Sequence, residues 1–485
     1  MKKGILLLTC ICLVGKAVGQ EPSDKVLRKM YRYVTKHSKA YTSLKEACQT
    51  IGHRLTGSPN GARAEQYAFD FFRRAGLQQV RFQPFEVQSW QRGTVWLGIA
   101  PLESDSFQPL PVATLAHSPA QAEVTAPIID VGNGLNEDFQ ALGQAVKGKI
   151  ALINIGLMGE VEGKKNLHRS EKTALAIQNG AVGVIMINNA PGKILLTGTA
   201  SVTGKTIPIP AVSITNEDGM QLRQELKRHL LQARIQMTNH IGNIKARNVI
   251  ATLAGSDPQA GKILIGGHLD SWDLATGASD NGIGAFAILD VARLLAKWKA
   301  KPRRTIEFVM FMGEEQGLLG SRQYVKQALA EGTLDQIELM INVDMTYQPF
   351  GFAVQGQPQA EEFFKSIGEK IKSIDKSFAN LFTSTAGLHS DHQPFLLQGI
   401  PVMSLSGNLP SRVIHCYHAD CDHIELIDPQ GLMETVRTLS LLLYQLAQAP
   451  SLPVKKMDEE ALKSFLIANG LKEPLLISGD WRWGN

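Results

Sequence analysis

The stretch KILIGGHLDSWD, residues 262–273, decides how the chain is read. Ile263–Gly266 is a short apolar run of the kind buried in a parallel or mixed sheet, and it leads into Gly267-His268-Leu269-Asp270. Two later runs repeat the pattern. Thr305–Met312 leads into Gly313-Glu314-Glu315, and Leu339–Val343 leads into Asp344. Helices expected at about 282–299, 318–330, 358–373 and 430–447 alternate with these strands. Such alternation predicts an α/β architecture with helices packed on both faces of a sheet.

In open α/β sheets, ligands and reactive groups collect at the carboxyl ends of strands. Three strand ends here carry acids or a histidine, and Gly277-Ala278-Ser279-Asp280-Asn281-Gly282 adds an aspartate framed by small residues that admit close backbone approach. Any of these alone reads as an ordinary feature: a solvated Glu-Glu pair, or an aspartate capping a helix. Their joint placement points to metal chemistry. Imidazole and carboxylate suit zinc, and three protein ligands per ion leave room for water. Two ions need about six contacts; His268, Asp280, Glu315, Asp344 and one more histidine supply them if Asp280 bridges. Glu314, beside Glu315 but directed elsewhere, is the expected general base for a water. Asp270, two residues after His268, is placed to accept the second imidazole N–H.

Outward from this core, residues 27–48 read as a helical lead-in. Ala64, Tyr67, Ala68, Phe71, Phe72 and Ala75 follow a helical period that Gly76 ends, and strand-like runs follow at 79–99. From 108 to 245 the pattern shifts to short strands, near 126–131, 149–155, 182–188 and 209–214, with one helix over 170–179. That segment predicts a small β-rich domain inserted into the larger one, without an acid, base or metal cluster. The expected division is therefore a leader over 1–19, a discontinuous main domain of 20–107 and 246–450, the insert at 108–245, and an extension at 451–485. The extension contains a charged helix at 458–469 and a tail with Trp481 and Trp483 to which the sequence assigns no role.

Lys2 and Lys3, the apolar run 4–14 and the small residues Ala17 and Gly19 have the layout of a secretory signal peptide. The predicted location is secreted or periplasmic, with no later segment apolar enough to span a membrane. The formal charge of +5 falls to +2 without Lys2, Lys3 and Lys16, so nothing argues for nucleic acid or anionic lipid. Hydrophobic residues at 44% and charged residues at 20% are ordinary for a globular protein. Export leaves Cys48, Cys416 and Cys421; an oxidising compartment permits a Cys416–Cys421 disulfide with Cys48 single and buried. Zinc ligation by the two thiols competes less well, because no second cysteine pair completes a structural set.

The motifs at 268–273, 277–282 and 313–317 resemble those of the M28 family of co-catalytic zinc exopeptidases, as does Arg54-Leu55-Thr56-Gly57-Ser58. Residues 108–245 resemble the protease-associated domain that many members carry, so the likeness covers roughly 45–445. It implies a three-layer α/β/α sandwich around a mostly parallel mixed sheet, and two zinc ions. It also implies His268, Asp280 and Asp344 as ligands with Asp280 bridging, Glu314 as base, Glu315 as ligand, and a last histidine followed four residues later by aspartate. His418 with Asp422 fits, although His423 replaces the family's threonine and His415 lies close by. Tyr417 sits where some relatives place an oxyanion-stabilising tyrosine, and Ser390-Asp391-His392 matches a stretch that lines the site. The expected substrate is a short peptide, read from either terminus, and the resemblance admits a homodimer. Cobalt or manganese would also suit the ligands. Two other classes share the fold: glutaminyl cyclases, with one zinc, and receptor ectodomains that have lost ligands.

Overall fold

The computed structural model describes residues 22–159 and 161–484. The expected signal peptide, with Cys10 and Cys12, lies outside them.

The main body is a mixed sheet between two helical layers. At its centre, Val402–Gly407, Ile337–Asn342, Lys262–His268 and Thr305–Phe311 lie side by side and parallel. Pro349–Val354 and Leu231–Leu253 flank them antiparallel. Because strand side chains alternate faces, each apolar run feeds two cores. Ile263, Ile265, Ile306, Phe308, Leu339 and Ile341 enter one, with the helices Asp24–His37, Ala40–Thr50, Pro59–Ala75, Ile283–Lys297 and Pro429–Gln448. Leu264, Val309, Phe311 and Met340 enter the other, under Leu319–Ala330 and the C-terminal helix Glu459–Ala468. These continuous apolar runs are long enough only because both faces are covered.

Local signals set the helix ends. Ser58 accepts from the Gly61 backbone N–H with Pro59 at the first helical position, and Gly76, with φ 85°, closes that helix in the left-handed region. The expected helical lead-in consists of two helices, separated at Ser38, whose hydroxyl donates to Asp290 at 2.6 Å.

The strand-like run at 79–99 becomes one long strand, Gln78–Pro101, paired antiparallel with Leu231–Leu253 over almost its whole length. This ribbon carries the chain into the insert and back. Its Phe85, Val87, Ala246 and Val249 belong to the main core, whereas Leu97, Ile99, Ala233 and Ile235 belong to the insert. The insert holds more helix than its sequence pattern suggests: Asn136–Leu142 and Asn216–Leu226 join Arg169–Gln178. The reason is topological. Gln121–Gly132, Ile150–Asn154, Gly183–Ile187 and Ala211–Ile214 run parallel, and parallel neighbours need crossover connections. The extension likewise holds two helices, Glu459–Ala468 and Lys472–Ser478. Among the described residues no helix is long and apolar enough to cross a membrane.

Candidate metal centre and cleft

His268 ends its strand 1% exposed, and its neighbours at the sheet rim are the loops that the sequence singled out. Its Nε2 lies 3.2 Å from Asp280 Oδ1 and 3.3 Å from Asp344 Oδ1. A second group sits alongside: His418 Nε2 is 2.8 Å from Asp280 Oδ2 and 2.9 Å from Glu315 Oε2. Asp280 thus turns one oxygen to each imidazole. Glu314 Oε2 stands 4.0 Å from His268 Nε2, outside either group of three. His415 and His423 are exposed and take no part; His423 Nδ1 lies 3.5 Å from Thr276 Oγ1. His392 turns away, with Nε2 3.0 Å from the Gly387 carbonyl.

The sequence explains why these groups converge. Gly277 has φ 63°, and a Cβ there would fall 2.2 Å from the Ser271 Cβ, so only glycine lets the Asp280 loop close against the His268 strand. Asp422 then holds that loop, accepting from Ser279 N at 2.8 Å, Ser279 Oγ at 2.7 Å and Asp280 N at 3.1 Å. Ser390 Oγ donates to Asp344 Oδ2 at 2.7 Å and is itself held by Asn342 Nδ2. One expectation changes in detail. The partner of His268 Nδ1 is the Asp270 backbone carbonyl at 3.1 Å, while the Asp270 carboxylate lies 3.7 Å away and accepts instead from Glu314 N. Extended backbone directs the carbonyl at residue 270 to the ring more closely than the side chain can reach.

Three residues matter that sequence reasoning did not assign. Arg54 is fully buried and donates to the carbonyls of Leu269, Thr276 and Gly277, tying together the loops that carry Asp270 and Asp280. Asn281 bridges Val343 O, Gly284 N and Met345 N, fixing the loop to the Asp344 strand. Arg169, from the insert, places Nη2 2.6 Å from His418 Nδ1. Arg54 and Asn281 each lie within a motif that the sequence singles out, without a role that the sequence reveals; Arg169 has no such signal. Tyr417 stacks on His418 with ring centroids 3.9 Å apart, and both face the cleft. Cys416 and Cys421 form a disulfide around this pair, and Cys48 is free and buried.

The electrostatics call for positive charge. Burial pushes the Glu314 and Glu315 carboxyls well above the usual range, with neighbouring Glu315 and Asp280 adding to it respectively. Burial opposes charge on His268, yet Glu314 and Asp344 hold its pKa well above the ordinary value. Burial and Arg169 hold His418 down to about 4, so its ring is neutral, and with Arg169 donating to Nδ1 the ring proton sits on Nε2, toward Asp280 and Glu315. The charged His268 ring directs Nδ1–H at the Asp270 carbonyl and Nε2 at two carboxylate oxygens, the position a cation would take over. Glu315 Oε1 is buried without a hydrogen-bond partner. Carboxylate oxygens gathered this way need cations between them, and the donor set fits two.

The surrounding cleft measures about 220 Å³ and draws its walls from the main body, the insert and the C-terminal extension. Fold and site describe an α/β protein with two histidine–carboxylate groups at the sheet rim, set where a metal-dependent hydrolase carries its ligands. The model of peptidase family M28 matches residues 248–443, and that of the PA domain matches 120–222. Aminopeptidase YwaD of Bacillus subtilis (strain 168) is 30% identical over 88% of this chain and 89% of its own. Carboxypeptidase Q of Xenopus laevis is 26% identical over 81% of this chain and 82% of its own. Among solved structures, an M28 peptidase precursor from Shewanella amazonensis SB2B superposes with a TM-score of 0.75 at 25% identity, covering 90% of this chain and all of that one. A zinc aminopeptidase from Bacillus subtilis gives 0.63 at 26%, covering 86% and 95%. The chain belongs to peptidase family M28.

Proposed function

We propose that this protein is an exported di-zinc exopeptidase that hydrolyses short peptides. The carrying observation is the division of Asp280 between two imidazoles, Oδ1 toward His268, whose Nε2 also faces Asp344, and Oδ2 toward His418, whose Nε2 also faces Glu315. His268, Asp280 and Asp344 would hold one zinc; His418, Asp280 and Glu315 the other. When bound, the metal pair polarises the scissile carbonyl and acidifies a water. The side chains do the rest. Glu314 would take the water's proton at its carboxylate and deliver it to the leaving amine, standing 4.0 Å from His268 and outside both histidine–carboxylate groups. Tyr417, at the cleft, is placed to donate to the developing oxyanion. Asp422, Ser390 and Asn281 fix the ligands, and Arg54 fixes the loops that carry them. The Cys416–Cys421 disulfide supports passage through an oxidising compartment, in keeping with the leader at 1–19, and the domain division set out from the sequence accompanies this reading.

Purified protein loaded with zinc and assayed on free and terminally blocked dipeptides tests the proposal. Glu314→Gln is expected to lower kcat by about a hundredfold or more while the metal stays bound. Unchanged turnover removes the base assignment. Metal analysis showing about one zinc per chain moves the protein toward the single-metal cyclase class.

A further inference from the structure

The C-terminal extension reaches the cleft from an unexpected side. Leu462, Leu466, Leu471 and Leu475 are buried in the same core as Leu264 and Met340, so residues 459–475 are part of the main body and not a loose tail. The helix Lys472–Ser478 also packs on the insert helix Arg169–Gln178, whose first residue reaches His418. Asn136 of the insert bonds to Glu473, and Lys165 Nζ donates to Asn469 O at 3.0 Å. Just past that helix, Ser478 and Asp480 face the same cleft as His268 and Glu314.

Asp480 joins three segments there. Its carboxylate accepts from Arg322 Nη1 at 2.8 Å, from Arg322 Nη2 at 2.6 Å and from Gln393 Nε2 at 3.0 Å. Arg322 in turn donates through Nε to the carbonyl of Gly317, in the turn that follows Glu314-Glu315. Gln393 Oε1 accepts from the His389 backbone N–H at 2.9 Å. A paired, bidentate guanidinium is held in one geometry, and 37% of the Arg322 side chain remains exposed. The cleft of about 220 Å³ is smaller than the roughly 300–1,000 Å³ of sites that enclose drug-sized ligands.

We infer that residues 478–480, with Arg322, form a specificity wall that confines productive binding to peptides of two or three residues. This rests on the exopeptidase reading and names its substrate class. The insert's His168–Glu171 segment lines the same cleft, and its Glu171 Oε1 lies 3.3 Å from His389 Nε2, so insert and extension meet on one side of the cleft and together continue the wall.

The test compares dialanine, trialanine and pentaalanine as substrates of the zinc-loaded full chain and of its Asp480→Ala, Asp480→Asn and Arg322→Ala variants, each checked for an intact thermal transition. The expected result is a rise of about tenfold in the ratio of kcat/KM for pentaalanine to that for dialanine, carried by KM, in Asp480→Ala and Arg322→Ala. Asp480→Asn, which retains the shape and the Gln393 contact, moves the ratio in the same direction by less. A pair that serves only as a strut lowers all three substrates by one common factor; an unchanged ratio with dialanine still cleaved by the wild type overturns the wall alone. A zinc-loaded wild type that cleaves none of the three overturns the exopeptidase reading, and the wall with it.

Discussion

Asp280 and the residues around it differ in how far the sequence exposes them. His268, Glu315 and Asp344 are legible because each follows an apolar run, and strand ends are predictable even where strand order is not. His418 is separable from His415 and His423 only by the spacing to Asp422, a carboxylate that the structure places on the Asp280 loop. Arg54 and Asn281 were not legible, since their partners are backbone carbonyls and N–H groups that a sequence does not locate. Two predictions belong at this scale. Ser390→Ala or Asp422→Asn is expected to weaken metal affinity by about ten- to a hundredfold in competition with a chelator, with the fold retained. His117, fully buried in the insert, donates or accepts at 2.8 Å with Thr199 and is held by burial down to about 4. Its unfolded counterpart protonates near 6.5, so this contribution to stability is present above that pH and is lost as pH falls toward 4. The loss is on the order of 3 kcal/mol. Thermal unfolding of wild type and His117→Gln between pH 7 and 4 checks it: the variant's curve falls less steeply.

At the scale of elements, periodicity located the central strands and the long helices, because both faces of each strand are apolar and each helix has a clear stripe. It missed Pro349–Val354 and Val402–Gly407, where Pro349, Gly351, Ser404, Ser406 and Gly407 interrupt the apolar pattern although the strands pair with each other beside Ile337–Asn342. It also missed two insert helices, which are short and mostly polar and are fixed by crossover topology. The segment 416–421 is an element of another kind, a loop closed by its own disulfide with Tyr417 and His418 inside. In the chain-entropy account a ring this small contributes about 2 kcal/mol to stability. Cys421→Ser is therefore expected to lower the unfolding free energy by that order, and to weaken retention of the metal at the His418 half-site more than at the His268 half-site. Stepwise chelation followed by metal analysis reads this; equal retention at both half-sites would place the loop's order elsewhere.

The Gln78–Pro101 and Leu231–Leu253 ribbon runs from the main core into the insert with a register shift between Arg92 and Val95, and the Lys472–Ser478 helix ties main body and insert a second time. Calorimetry is expected to show a single unfolding transition; two well-separated transitions would mean that the insert melts alone. The same ribbon has a consequence for how the protein is made. Its first strand leaves the ribosome roughly 130 residues before its partner, a wait of about ten seconds at ordinary elongation rates. Throughout that interval Phe82–Trp90 has no partner, because the residues it pairs with, Ile241–Val249, have not been made. The insert, by folding in the meantime, brings its own exit strand back beside its entry strand, and so acts as the jig on which the peptidase half is assembled.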